Sequence, residues 1–561
     1  MQSLPKDAIY PGREGASPFV VPPSGEMIES LGFRPAGGAG LQARSCFMGV
    51  EMPLDARIER IKRWGAGGFI VVLLLFVATG AWAASAGAPK ADRTFTDPAP
   101  PKVAARRDAP VPVARDNPDA IFHAPPKKLP ARAVTNDWPS FLGPSHNMFS
   151  AETALLQEFP KDGLHLVWEM KKGDGFSAPA IAGERLILFH RAGDNEVVEC
   201  LHPLDGKRSW QFSYATAYRD RYGINPGPRA SPVIGDGMVF TFGVDGRLTC
   251  LDLATGQLIW QRDILNEFKI RQDFFGVGAT PLIEGDKLIV NIGAPGGPCV
   301  AAFDTRTGKM VWGAGAEWGP SYASPIPATI RGQRRVFVFA GGESKPPTGG
   351  LLCLDPADGK VDFAFPWRGS RYESVNAASP VIIGHQVFVS ECYGAGGALL
   401  DVLADGKVRQ VWSNPAFGMH FMSALPKGDY LYGVDGHGPQ DAELVCVDLK
   451  LGREVWRAQP LWQEKIETKE GGREMQVGIF RASLLMVDGR TLCLGEFGHL
   501  LWLDLSPDGY RERARTWLFA ATETWTPPVV SHGLLYVCQN TRGALRNEPP
   551  RLLCYDLRAA E

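Results

Sequence analysis

Arg229, Tyr322, Asn376, His420, Arg481 and Trp525 share a position rather than a motif. Each stands shortly before a small residue that opens a short apolar run: Ser231-Pro232, Ser324-Pro325, Ser379-Pro380, Ala424-Leu425, Ser483-Leu484 and Thr526-Pro527. Phe176, Val277 with Gly278, Phe421 and Phe480 occupy comparable places. Two guanidinium groups, an imidazole, an amide and several rings could hold an anionic or sugar-like ligand. Arginine matches planar acidic groups, and aromatic faces suit flat or sugar surfaces. No second His or Cys joins His420 at metal-ligand spacing, and no serine sits in a nucleophile elbow. No catalytic residue and no metal ligand is therefore assigned, and His420 reads as a structural histidine.

The elements that must position these residues are repeats. Residues 229–260 read RASPVIGDGMVFTFGVDGRLTCLDLATGQLIW, four short β-type runs separated by Gly-Asp-Gly, Asp-Gly and Thr-Gly. Gly and Asp tolerate the positive φ of tight turns, so this is a four-stranded antiparallel meander. A Gly in the first hairpin turn recurs at 183, 235, 285, 332, 384, 428, 489 and 533. The outer run usually ends in Trp, at 210, 260, 312, 412, 456 and 517, with Phe363 in the fourth copy. One meander cannot bury both faces, so copies must stack.

Eight inner hairpins but only seven complete outer strands follow residue 170, and the eighth copy ends at Cys554-Tyr555-Asp556-Leu557. Leu164 to Glu169, with Trp168, supplies the missing strand from the other end. The expectation is an all-β fold, an eight-bladed β-propeller of four-stranded antiparallel blades, closed by an N-terminal strand that leaves no open edge. In such a ring the six residues named first line the mouth of the central channel. Insertions at Gly341 to Gly350, Pro460 to Met475 and Gln539 to Pro550 fall on loops. Tyr218-Arg219-Asp220-Arg221-Tyr222 reads as a solvated loop.

Cys200, Cys250, Cys353, Cys446 and Cys554 fill one repeat position. Neighbouring blades set them on the order of 10 Å apart, beyond bridging reach, so they read as small buried apolar residues.

Residues 1–60 lack a period and read as disordered, or as a start-site artefact if translation begins at Met52. Arg57, Arg60, Lys62 and Arg63 precede an uncharged run at 64–89 and an Ala81-Trp82-Ala83 pattern. Both a signal peptide and a single transmembrane helix fit that run. Either one makes the protein exported, periplasmic or extracytoplasmic, and membrane-anchored or secreted. Residues 85–134, rich in Pro and Ala, read as a semi-extended linker, and 135–561 as the propeller domain. A formal net charge of -2 gives no reason to expect nucleic-acid binding.

Asp252, Thr255, Gly256 and Trp260, and again Asp304, Thr307, Gly308 and Trp312, resemble the tryptophan-docking repeat of the pyrroloquinoline-quinone (PQQ) propeller family, within the quinoprotein alcohol dehydrogenase-like superfamily. The resemblance implies that each Trp packs between blades while the Asp and Thr-Gly hold the turn. It covers about 400 residues and spans quinoprotein dehydrogenases, scaffold propellers and the sensor ectodomains of some kinases. The dehydrogenases imply an adjacent Cys-Cys pair, which this chain lacks, and a Ca²⁺ site, for which Glu373, Asn376 and Glu523 are the candidates. Three scattered residues do not make a hard-cation cage, and bound PQQ with Ca²⁺ stays open. The reading is a tethered propeller that binds or scaffolds a protein or glycan ligand; the alternative is a PQQ-dependent oxidoreductase acting on an alcohol or sugar.

Overall fold

The computed structural model describes residues 94–104, 110–271, 274–342, 344, 346–468 and 471–560. It is an eight-bladed β-propeller of four-stranded antiparallel blades. From blade one to blade eight, the innermost strands begin at Ala180, Val233, Leu282, Ile326, Val381, Leu425, Ser483 and Val529. In blade eight the chain supplies Val529–Ser531, Leu534–Gln539 and Arg551–Asp556, and Leu166–Lys171 pairs antiparallel with the last of these. Trp168 lies opposite Cys554, as Trp260 lies opposite Cys250 in blade two. The ring is therefore closed by hydrogen bonds, and the cost of an exposed edge is avoided.

The tryptophans seat each blade on the next. Trp260 Nε1 donates to Thr305 O at 2.8 Å, and a Cβ on Gly308 would stand 2.6 Å from the Trp260 ring. Trp210, Trp312 and Trp412 meet Gly256, Gly359 and Gly452 in the same way, and Trp168 meets Gly206 of blade one. Asp252 Oδ1 accepts from Thr255 N and Oγ1, both at 2.8 Å, and Asp304 repeats the pattern with Thr307. These turns adopt φ of +70° at both Gly256 and Gly308, a region that favours glycine.

Trp517 departs from this scheme. The docking position of blade seven, opposite Trp502 and before the strand irregularity shared by the other blades, is Ala514. Trp517 lies three residues further on and stacks on His499 at 4.8 Å. Blade eight joins its third and fourth strands without a covalent turn, so the seat used elsewhere is missing.

The stretch read as a linker does not run free where it is described. Phe95 lies against Gly297 and Gly313 of blade three. Asp97 binds the fully buried Arg262 (Oδ2 to Nη1, 3.0 Å) and accepts from Met310 N. Lys102–Val103 adds a strand outside blade two, Arg115 bridges Arg208 of blade one, and Ala120–Phe122 adds a strand outside blade eight. The outermost strands of these blades present unpaired backbone groups, and short extended segments satisfy them even when prolines interrupt the run. Residues 138–155 then cross the far ends of the innermost strands. Trp138 pairs with Ile181, Pro139 O accepts from Ile234 N, and Phe149–Ser150 runs parallel to Ser483–Val487.

The segment 64–89 and the N-terminal stretch 1–60 lie outside the described residues. Among the described residues no helix is long and apolar enough to cross a membrane. The five repeat-position cysteines are buried and unpaired.

Candidate functional site at the channel mouth

Strands alternate in direction along a meander. Loops leaving the second and fourth strands of every blade therefore emerge on one face, opposite the docking turns. The residues singled out from sequence lie there, and so do the three insertions. Gly341 to Gly350 and Gln539 to Pro550 follow second strands. The Pro460 to Met475 insertion follows a fourth strand and forms a hairpin, Leu461–Thr468 with Gly471–Gly478. Trp462 from this hairpin meets His499 of blade seven edge-on at 5.0 Å.

Five of the six candidates join one belt. Phe176 and Trp525 approach to 5.1 Å between centroids, and Trp525 and Phe421 to 5.6 Å. Arg229 lies 5.9 Å from the Phe176 ring and 5.5 Å from Phe275, and Phe275 meets Tyr322 edge-on at 5.9 Å. Arg481 sits 4.6 Å over Trp525. Beyond Phe421, His420 contacts His437 at 4.7 Å. Tyr393 Oη lies between the two imidazoles, 3.3 Å from His420 Nε2 and 3.1 Å from His437 Nε2. Burial lowers the pKa of His420 well below that of a free histidine, and the neighbouring His437 and Arg481 add to this. His420 Nδ1 is buried with no hydrogen-bond partner.

Both arginines are already neutralised. Arg229 Nη2 meets Asp220 Oδ2 at 2.6 Å and also donates to Asn225 O, while Nη1 donates to Gly227 O. Arg481 Nε donates to Glu496 Oε2 at 2.9 Å, and Trp525 Nε1 donates to Glu496 Oε1 at 2.8 Å. The anion site expected from two free guanidiniums is thus answered by the chain's own carboxylates. Asp220 belongs to the loop read as solvated, yet its side chain is only 2% exposed.

Asn376 does not join the belt. It is fully buried, and its Nδ2 donates to Ala340 O at 2.8 Å and Trp367 O at 3.2 Å, fastening blade four. Glu373 is exposed. Among the described residues no group of three His, Cys, Asp or Glu converges as a metal site.

Glu523 is 6% exposed, with Oε2 buried and unpartnered. Burial raises its pKa to about 7, with Glu496 and Asp220 adding and Arg481 and Arg229 opposing. Asp220, Phe275, Tyr393, His437 and Glu496 were not among the expected site residues. Tyr393, His437 and Glu496 stand on loops after second strands, and alternation of strand direction was the signal that would have found them.

A family model described as outer membrane protein assembly factor BamB matches residues 194–458. Over 127 residues the chain is 32% identical to BamB of Yersinia pestis, covering 22% of this chain and 30% of that protein. BamB of Shewanella oneidensis is 26% identical over 273 residues, 44% of this chain and 60% of that one. Quinohemoprotein alcohol dehydrogenase ADH-IIG of Pseudomonas putida is 29% identical over 127 residues, 22% and 17% respectively. The chain spans less than two thirds of the length of each of these relatives. Among solved structures, a europium-containing methanol dehydrogenase aligns with a TM-score of 0.54 and 12% identity, covering 75% of this chain and 98% of that one. The quinohemoprotein alcohol dehydrogenase from Comamonas testosteroni aligns at 0.52 with 13% identity, covering 76% and 81%. These two share the fold. The repeats within residues 194–458 match this family model, and the ring of eight blades is a PQQ-like β-propeller fold.

Proposed function

We propose that this propeller is an extracytoplasmic binding and scaffolding module that receives a segment of another polypeptide at the channel mouth. The carrying observation is the belt itself: half-buried aromatic rings backed by internally neutralised arginines, on the face that also bears all three insertions. Aromatic side chains with satisfied polar backing are the usual anchors of protein recognition. Similarity to proteins named as outer membrane assembly factors supports this reading. Export and tethering rest on the uncharged run at 64–89 with its basic flank.

Photo-crosslinking in the native cell envelope tests the reading. A photoreactive residue at Phe421 is expected to give discrete polypeptide adducts, and one at the buried docking position Trp260 is expected to give none. An absence of adducts at Phe421, together with dye reduction by alcohols or aldoses after addition of PQQ and Ca²⁺, would replace the module with the oxidoreductase.

A further inference from the structure

We propose that the channel mouth holds an alkylammonium group, of the kind a lysine side chain presents, against the Glu523 carboxylate and the rings of Phe176, Trp525 and Phe421. The inference deepens the binding-module reading and rests on it. Its starting point is a charge imbalance. Arg229 is matched by Asp220, and Arg481 by Glu496. Glu523 is the third carboxylate of the group and, among the described residues, forms no ion pair of its own. The buried Lys172 ammonium donates to Gly173 O and Gly175 O and faces Asp174, and His420 and His437 are both held toward the neutral form by burial.

A buried polar atom without a partner is costly, and native structures keep few of them without a use. Glu523 Oε2 is such an atom. Its backbone is also held in a sparsely populated conformation, φ +58°. The surrounding structure imposes it: Asn540 Nδ2 donates to Glu523 O at 3.0 Å, Trp525 N donates to the same oxygen at 2.7 Å, and Thr524 N donates to Glu496 O at 3.1 Å. Strain of this kind in a non-glycine residue is retained where the position matters. The rings beside it fit the rest of the ligand. Trp, Phe and a methylene chain share apolar surface, and ring faces attract a desolvated cation. An anionic ligand would instead meet an uncompensated carboxylate.

Titration of the full chain with n-butylammonium chloride at about pH 8, above the pKa of Glu523, followed by calorimetry or saturation-transfer NMR, tests the site. Millimolar binding is expected for the ammonium, and a loss of about tenfold or more in Glu523→Gln, because a charge-assisted contact is replaced by a neutral one. Trp525→Leu keeps the carboxylate and removes a ring face; it is expected to weaken binding as well, and it serves if the first variant does not fold. Equal binding of n-butanol or n-butyrate, no ammonium binding, or binding unchanged in both variants overturns the proposal. A trilysine peptide that binds no better than n-butylammonium assigns the site to small amines, still through Glu523. Crosslinks at Phe421 without ammonium binding would sink the ammonium site and leave the binding module standing.

Discussion

The docking-turn face and the mouth face of the propeller come from the same eight repeats, yet they differ in how their polar groups are settled. At the turns, Asp252 and Asp304 each meet two donors of the following Thr, and Trp260 Nε1 reaches a carbonyl of the next blade. At the mouth, Glu523 Oε2 and His420 Nδ1 are buried and unserved, and ion pairs replace backbone caps. Repetition explains the first pattern: a seat that works once works at every blade interface. The second varies from blade to blade because its loops are not bound by the stacking geometry. On the proposed function, the first face serves stability and the second recognition.

That division can be broken most sharply with tryptophans. Trp260→Ala is expected to cost about 3–5 kcal/mol, the range for deleting a buried large aromatic, read as a lowered denaturation midpoint. Trp525→Ala at the mouth is expected to cost clearly less, because that ring is half-buried. Equal losses would show that the mouth is structural.

The next effect is pH dependence. The Glu523 pKa is raised from 4.5 to about 7 in the folded protein, so the native state binds this proton more tightly than the unfolded chain does. Stability contributed by the protonated form is present below pH 4.5 and is lost as pH rises through about 7, by up to about 3 kcal/mol. Glu196, buried between blades one and two, is also raised to about 7 and contributes in the same sense. Glu523→Gln is expected to flatten the fall in thermal midpoint between about pH 5 and 8, leaving the share due to Glu196. A profile identical to that of the parent would remove Glu523 from the account.

The smallest expected effect concerns the strap. Asp97→Ala removes one of the two carboxylates facing the buried Arg262 and leaves Glu267. A loss of about 1–3 kcal/mol follows from leaving guanidinium donors unserved. It is expected to appear with faster proteolysis between residues 94 and 134, while the mouth variants leave that segment protected.

Most of the ring was legible in the sequence, and the reason is periodicity. Turn glycines, Asp-Thr-Gly-Trp ends and the unfinished last copy each report a local rule that neighbouring blades must repeat. The exceptions fall where periodicity stops. Trp517 has the right residue type but the wrong register, and the segment before residue 134 carries a linker composition while Lys102–Val103 and Ala120–Phe122 pair with open blade edges. At the mouth, position alone put the six candidates on one face. Which of them touch was not legible: five join the belt, while the Asn376 amide turns inward to Ala340 and Trp367.

The sequence by itself determined the number of blades, their closure through Trp168 and the face that carries the candidate residues. These follow from hydrophobic alternation and turn residues, which act over a few positions. Only the tertiary structure decided which charges cancel. Asp220 and Glu496 lie 9 and 15 residues from the arginines they neutralise, on loops whose approach depends on the stacked blades. It also left Glu523, more than 290 residues from Arg229, as the carboxylate of that group without a cation. Electrostatic pairing depends on distances of a few ångströms across the closed ring, and no local pattern in the chain encodes them.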